Sequence, residues 1–404
     1  MNYNIPFHPA DILLPKENFE KWSVIACDQF TSDEKYWKEV EKTVGNANST
    51  LKITLPEIYL ENGDVSTRTA NINLEMNSYI SNDVFNEYKD ALVYIERTQP
   101  DGRIRTGIIG AVDLEHYDYK KGSNTLIRAT EETVIERIPP RVKIRKDAPL
   151  ELPHIILLID DVKKTVIEPL ANEKDNMTKI YDFDLIMGGG HITGYLINKE
   201  NIEKIYSALD KLAEKNSDLL FAVGDGNHSL ATAKECYEIK KKNNTSTNLS
   251  RYALAEFGNI HSDALDFEPI YRVMFSVDVN DVIEKLKKHF DTKEPNSKLT
   301  YTYGKKEGSI DINVPSNKLT TGVIQDFIDE YIKTNPSAKV DYIHGINDVK
   351  ELSKQDNTIG FIFDSISKET LFDMVKKTGS LPRKTFSMGE SRDKRYYLEC
   401  RKIK

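Results

Sequence analysis

Cysteine is scarce in this chain: three in 404 residues, Cys27, Cys236 and Cys400, with no paired spacing. That excludes a disulfide framework and a cysteine-built zinc cluster, and fits a reducing compartment. The eight histidines are scattered and form no HExxH pattern, so no dedicated metal site is expected. No apolar run approaches the roughly 20 residues that span a bilayer. The first residues, MNYNIPFHPADILLPKENFEKW, have neither the basic start nor the apolar core of a secretion signal. A cytoplasmic protein without a membrane partner is expected. Positive charge is also short, with 56 Lys and Arg against 64 Asp and Glu and a net charge of −8. That balance gives no global footprint for nucleic acid and argues against a nucleic-acid partner.

What is present suits a globular protein of two domains, or of one large core with an added lobe. At about 150 residues per domain the length corresponds to two or three, and 39% apolar content is ample for a core. SVIACDQF at 23–30 reads as a short buried strand, followed by a helix over 32–44 with Ser32 as its N-cap. Residues 91–117 read as a hairpin about Gln99-Pro100-Asp101-Gly102. HIILLID, at 154–160, is almost wholly apolar and predicts a strand buried on both faces. Residues 201–215 have helical periodicity, and 251–274 supply a strand, a polar turn and a returning segment. The C-terminal part alternates a hairpin over Gly304–Gly308 with helices at 321–333 and 367–378 and strands at 340–345 and 358–364. The expected fold class is α+β (mixed α/β): a ligand-binding core with a mixed sheet over 1–292, then a smaller α+β lobe over 293–404. KEPNSK at 293–298 is the linker candidate, and RKTFSM at 383–388 could return to the core.

The most informative stretch is LLFAVGDGNHSLATAKE at 219–235, a buried-strand signature that runs through a polar, glycine-containing turn at 224–229 into a helix. Glycine lets backbone approach a ligand, and the first amides of a helix point outward unpaired, which suits a phosphate. An ordinary turn with Asn or Ser capping the helix explains the same letters. His228 favours the functional reading, because it is neither a capping nor a typical core residue and titrates near neutrality.

Three further polar segments adjoin predicted strands: Asp28-Gln29, Arg128-Ala129-Thr130-Glu131 and His261 with its neighbours. If they converge on the central turn, Asp225 or Glu131 serves as general base and His228 trades a proton or stabilises a phosphoryl oxygen. Arg128 and Arg141 clamp an oxyanion, and Thr130, Gly226, Asn227, Ser229, His261, Asp28 and Gln29 complete the pocket. Each has a plainer explanation: Arg128 and Glu131 as a surface ion pair, Asp28 and Gln29 as helix caps, His261 as a loop histidine. Lys384, in a small basic group with Arg383, Thr385 and Ser387, could hold an acidic ligand or simply end a strand in solvent. The glycines of MGGGH at 187–191 match neither GxGxxG nor the phosphate loop of nucleotide hydrolases, and read as a flexible turn.

Five ordered stretches, WSVIACDQFTSDEKYWKEVE at 22–41, TLIRATEETVIERIPPR at 125–141, GDGNHSLATAK at 224–234, NIHSDALDFEPIYRV at 259–273 and LPRKTFSMGE at 381–390, resemble the bacterial and archaeal family catalogued as domain of unknown function 1015. Commoner members carry Asp-Gly-His-His-Arg at the central turn, where this chain has Asp225-Gly226-Asn227-His228-Ser229. The turn is also similar to the helix start of the ParB/sulfiredoxin-like superfamily, whose members bind nucleotides and include a free-serine kinase. This resemblance implies a ParB/sulfiredoxin-like core. Members tend to be encoded beside serine-biosynthesis enzymes, which points to serine or phosphoserine as the metabolite. The expected activity is that of a small-metabolite phosphotransferase or phosphatase; a kinase would use a nucleotide with Mg²⁺, held by Asp225 or Asp28 together with the phosphates. The alternative is a non-catalytic regulatory protein that binds a nucleotide or phosphometabolite in the same pocket.

Overall fold

The computed structural model describes residues 5–404 apart from 27–29, 31–32, 60–63, 121, 134, 217 and 365. The chain divides into two compact units, Met1–Leu265 with Gly389–Lys404, and Asp266–Met388. The change therefore falls at residue 265/266 and not at 292/293. The reason is pairing: strand Phe267–Phe275 bonds to Lys339–His344, Ile359–Ile362 and Phe386–Met388, all in the second unit. RKTFSM stays there too, and it is the segment after Met388 that re-enters the first unit.

The first unit is built on a mixed sheet with ten strands among the described residues. Its path runs Thr178–Asp184, His191–Leu196, Val93–Thr98, Ile104–Asp113, Tyr252–Asn259, Ile156–Ile159, Phe221–Asp225, Ile127–Ala129 and Tyr117–Asp118, with Phe7–His8 beside Ile104–Asp113. The hairpin expected over 91–117 is its Val93–Thr98 and Ile104–Asp113 pair. Period-two alternation divides side chains between two cores. Val93, Ile95, Ile109, Ala111 and Leu254 face a cluster containing Trp22 and Trp37. Tyr94, Ile108, Ala253, Ala255 and Phe257 face the other, where helix Lys199–Lys215 contributes Ile205, Tyr206, Leu209 and Leu212. The all-apolar strand Ile156–Ile159 is buried along its length, as a strand covered on both faces must be. Helix Glu34–Val44 is capped by Asp33, whose carboxylate accepts the Tyr36 amide, one residue beyond the expected Ser32.

The returning segment is woven into this unit. Tyr396–Tyr397 pairs with Val24–Ile25 and Arg401–Lys402 with Leu150–Glu151, while the Trp22 indole donates to the Leu398 carbonyl at 2.8 Å. The second unit carries a six-stranded sheet among the described residues, and helices Val279–His289, Thr320–Thr334 and Ile346–Leu352 share its hydrophobic core. No helix among the described residues is long and apolar enough to cross a membrane.

Candidate functional site

Strand Phe221–Asp225 is held on both edges, antiparallel to Ile156–Ile159 and parallel to Ile127–Ala129. Phe221, Ala222 and Val223 are fully buried, so Asp225 at its end has little freedom to move. One residue makes the turn: Gly226, at φ 83° and ψ 26°, follows the strand directly and helix Asn227–Lys242 begins after it. The expected six-residue turn thus contracts to one position, and Asn227, His228 and Ser229 lie in the first helical turn. Glycine is required there twice over, by its left-handed backbone and because a Cβ would sit 3.0 Å from the Ile155 Cα. Gly226→Ala is expected to cost roughly 1–3 kcal/mol, read from the urea midpoint; an unchanged midpoint would mean the turn relaxes freely.

The Asp225 carboxylate has two partners. Oδ1 accepts the Gly226 amide at 2.8 Å, and Oδ2 faces the Lys394 ammonium at 3.3 Å, with the two side chains 20% and 8% exposed. The helix that follows has no side-chain cap among the described residues and no acidic residue in its first turn, while Lys240, Lys241 and Lys242 close its last. Neither Asn227 nor Ser229 caps it, contrary to the ordinary-turn explanation. Its N-terminal amides and positive dipole end are therefore available to an anion. The Asn227 Oδ1 is buried there with no hydrogen-bond partner among the described residues.

A histidine not singled out in the sequence stands beside this edge. His154, 8% exposed, leads into strand Ile156–Ile159. Its Nε2 lies 3.5 Å from the Ser229 hydroxyl and its Nδ1 3.2 Å from the Tyr397 hydroxyl. Thr130 leaves the neighbouring strand at the same edge and donates its hydroxyl to the Val223 carbonyl at 2.6 Å. Glu131 follows it and, like His228, is half-buried.

The four polar segments do not all meet. Because Ile156 pairs with Asp225 and Leu158 with Ala222, the start of Phe221–Asp225 lies beside the end of Ile156–Ile159. Arg128 belongs to that far end: its guanidinium donates to the carbonyls of Thr125 and Asp218, just ahead of the strand. It is buried, so it is no surface partner of Glu131 either. His261 is also at the far end, two residues beyond Asn259, which pairs with Ile159, and its Nε2 is 2.7 Å from the Asp160 carboxylate. Arg141 is half-buried on helix Ile138–Arg145 and donates to the Arg137 carbonyl. Lys384 belongs to the second unit, where its carbonyl accepts from Arg272. Asp28 and Gln29 lie outside the described residues. The MGGGH turn builds no phosphate loop; the Gly189 carbonyl accepts from Arg97, and the His191 ring lies between Asp182 and Asp184.

What the sequence did not disclose is that the returning segment completes the edge. Arg97, 1% exposed, donates to the carbonyls of Gly189, Arg392, Asp393 and Lys394 and so fixes the backbone from which Lys394 projects. Burial and the nearby Arg105 hold its guanidinium down at about 10. The next residue, Arg395, joins Glu256 and Glu399, and Glu256 also accepts from Arg105. Among the described residues no cluster of three His, Cys, Asp or Glu side chains could hold a metal ion. The donor set thus fits Mg²⁺ only as an ion shared between a carboxylate such as Asp225 and ligand phosphates.

No curated protein matches the chain. Among solved structures, a free serine kinase in complex with AMP is 14% identical with a TM-score of 0.40, over 72% of this chain and 91% of that one. A conserved hypothetical protein from Pyrococcus furiosus is 13% identical with a TM-score of 0.35, over 71% and 90%. SbnI with a C-terminal truncation, from Staphylococcus aureus, is 10% identical with a TM-score of 0.37, over 70% and 82%. The family model described as protein of unknown function (DUF1015) matches residues 6–342, and the chain belongs to that family.

Proposed function

We propose that the protein is an enzyme that transfers or hydrolyses a phosphoryl group on a small polar metabolite. The observation that carries this reading is the Lys394 ammonium set against Asp225 Oδ2 beside an uncapped helix start. The arrangement combines what such chemistry needs: outward amides and a buried cation for phosphate oxygens, and a carboxylate to accept a proton from the attacking hydroxyl or water. A bound phosphate would draw the ammonium from Asp225 and leave the carboxylate to act as base. His228 and Glu131, half-buried at the same edge, are the further candidates for proton transfer to the phosphoryl oxygens and the nucleophile. Serine or phosphoserine is the proposed metabolite and a nucleotide the proposed phosphoryl donor. Mg²⁺ would neutralise phosphate charge when bound. The proposed compartment is the cytoplasm, in keeping with two buried free cysteines, Cys236 and Cys400.

The test is a thermal-shift screen against serine, phosphoserine, ATP, ADP and AMP, with and without Mg²⁺, followed by phosphate-release and transfer assays on every hit. Asp225→Asn is expected to lower turnover about 10²–10⁴-fold, the usual contribution of a general base, while ligand affinity is largely kept. Lys394→Met is expected to weaken binding of the phosphorylated ligand about tenfold or more, as loss of a charged hydrogen bond of roughly 1.5–3 kcal/mol would. Binding by the wild-type protein with no turnover in any combination would replace the enzyme with a regulatory binding protein.

A further inference from the structure

The Ser229, His154 and Tyr397 side chains form a connected group, and its members come from three separate parts of the first unit. Ser229 is the third residue of its helix, a position where serine normally contributes little unless its hydroxyl is used, and here it caps nothing. Its Oγ lies 3.5 Å from His154 Nε2, the long end of a hydrogen bond, as is common before a substrate tightens such contacts.

The histidine is fixed from both sides. The carbonyl of Pro153 before it accepts from Arg395, and the carbonyl of Ile155 after it accepts the Glu256 amide at 3.0 Å. Its ring stands edge-on to that of Tyr397, with centroids 5.7 Å apart at 81°. If Nδ1 donates its proton to the Tyr397 oxygen, Nε2 carries a lone pair directed at the Ser229 hydroxyl. That relation of nucleophile, base and orienting group is one by which a serine is activated. The first-turn amides beside Ser229 would hold the oxygens of the group it attacks.

We propose that Ser229 is a nucleophile activated by His154, and that it transiently accepts the phosphoryl group, as phosphoserine, from a phosphate monoester or phosphoanhydride bound at the helix start. The inference rests on the phosphoryl-transfer reading above and deepens it. In the first step the Ser229 oxygen bonds to phosphorus and its proton passes to His154 Nε2. The bond from phosphorus to the leaving oxygen breaks, and that oxygen either takes the proton from His154 or leaves as an anion while His154 releases the proton to solvent, so that the imidazole is neutral again. In the second step an acceptor hydroxyl, or water, gives its proton to His154 and attacks the phosphoserine, and Ser229 leaves and recovers a proton from the imidazolium. No electrons change hands. With a metabolite hydroxyl as acceptor the cycle is a phosphotransfer, and with water it is a hydrolysis.

Two measurements on the full-length protein test this. In the first, a fluorophosphonate, which replaces fluoride with a serine oxygen, is followed by peptide mapping in a mass spectrometer. In the second, the protein is quenched in acid after exposure to ATP or to phosphoserine, in separate arms that tell which donor loads it, and is mapped the same way. The expected result is one adduct at Ser229, absent in Ser229→Ala. Labelling should slow about 10²–10⁴-fold in His154→Gln, the range for loss of a general base, and less in Tyr397→Phe. An unlabelled Ser229 in both measurements overturns the proposal, and because this is read in the wild-type protein it does not depend on the folding of any variant. Ser229→Ala with unchanged turnover, where Asp225→Asn has lost it, also overturns it and leaves direct transfer at the Asp225 edge standing.

Discussion

Glu256→Ala is expected to destabilise the first unit by about 3–5 kcal/mol, the cost of leaving a buried charge without its partner. Glu256 is fully buried and bridges two guanidinium groups: Oε1 accepts from Arg105, and Oε2 accepts from Arg395 Nε at 3.0 Å. Both arginine side chains are about as deeply buried, at 4% and 5% exposure. Arg97 lies close enough for the Arg105 charge to disfavour its own. Removing the carboxylate therefore leaves like charges facing one another in a medium that solvates them poorly. Gly107 confirms how tightly the glutamate is enclosed, since a Cβ there would lie 2.8 Å from Oε1. Urea unfolding near neutral pH reads the loss. The double variant Glu256→Ala with Arg105→Met should recover part of it, because one stranded charge is gone. A cost below about 1 kcal/mol would put the pair in the range of exposed ion pairs and contradict the burial. The same substitution should weaken phosphate binding, because Arg395 loses an anchor and Lys394 is its neighbour in the chain.

Local pattern made much of this fold legible, and the part it missed has one physical cause. The buried strand before Asp225, the helix after it and the hairpins are set by runs and periodicities of a few residues, and they form as expected. The mixed α/β class follows from those elements. The glycine at the turn was legible as a need for unusual backbone, but its second reason, contact with Ile155, depends on a strand some 70 residues earlier in the chain. Lys394, Arg395 and Tyr397 were invisible because their partners are far away in sequence: Arg395 reaches Glu256 across 139 residues and Tyr397 reaches His154 across 243. One local signal was present. From Tyr397 to Arg401 the charged or hydroxylated residues Tyr397, Glu399 and Arg401 alternate with Leu398 and Cys400, a two-residue period that marks a strand. Charges on one side of such a strand suggest solvent; here both sides are buried, and every charge is matched by another that sequence distance conceals. Arg128 shows the opposite error. Its spacing from Glu131 suggested a pair or a clamp, whereas the folded chain spends its donors on two backbone carbonyls.

Glu151→Gln should both lower stability near neutral pH, again by about 3–5 kcal/mol, and flatten its decline in acid. Glu151 ties the returning segment to the sheet. Oε1 accepts the Leu254 amide at 2.9 Å and Arg401 Nε at 2.6 Å, and Oε2 accepts from Arg145. Burial by itself would raise this carboxyl's pKa, but the charges of Arg401 and Arg145, with their hydrogen bonds and that of Leu254, outweigh burial and hold it below the usual 4.5. A carboxylate depressed in the folded state takes up its proton later than the unfolded chain does as pH falls. The stability it contributes is therefore complete above pH 4.5 and drains away as pH drops through the lower folded value. Glutamine keeps the shape and one acceptor, cannot titrate, and leaves Arg145 and Arg401 without their counter-charge. Urea midpoints measured from neutral pH down into acid should show the variant's curve lying below the wild type's and approaching it under pH 4.5. Its slope there should be shallower by up to one proton, about 1.4 kcal/mol per pH unit. Two parallel acid limbs would mean that Glu151 is not the ion that locks the returning segment in place, and with it Lys394 beside Asp225.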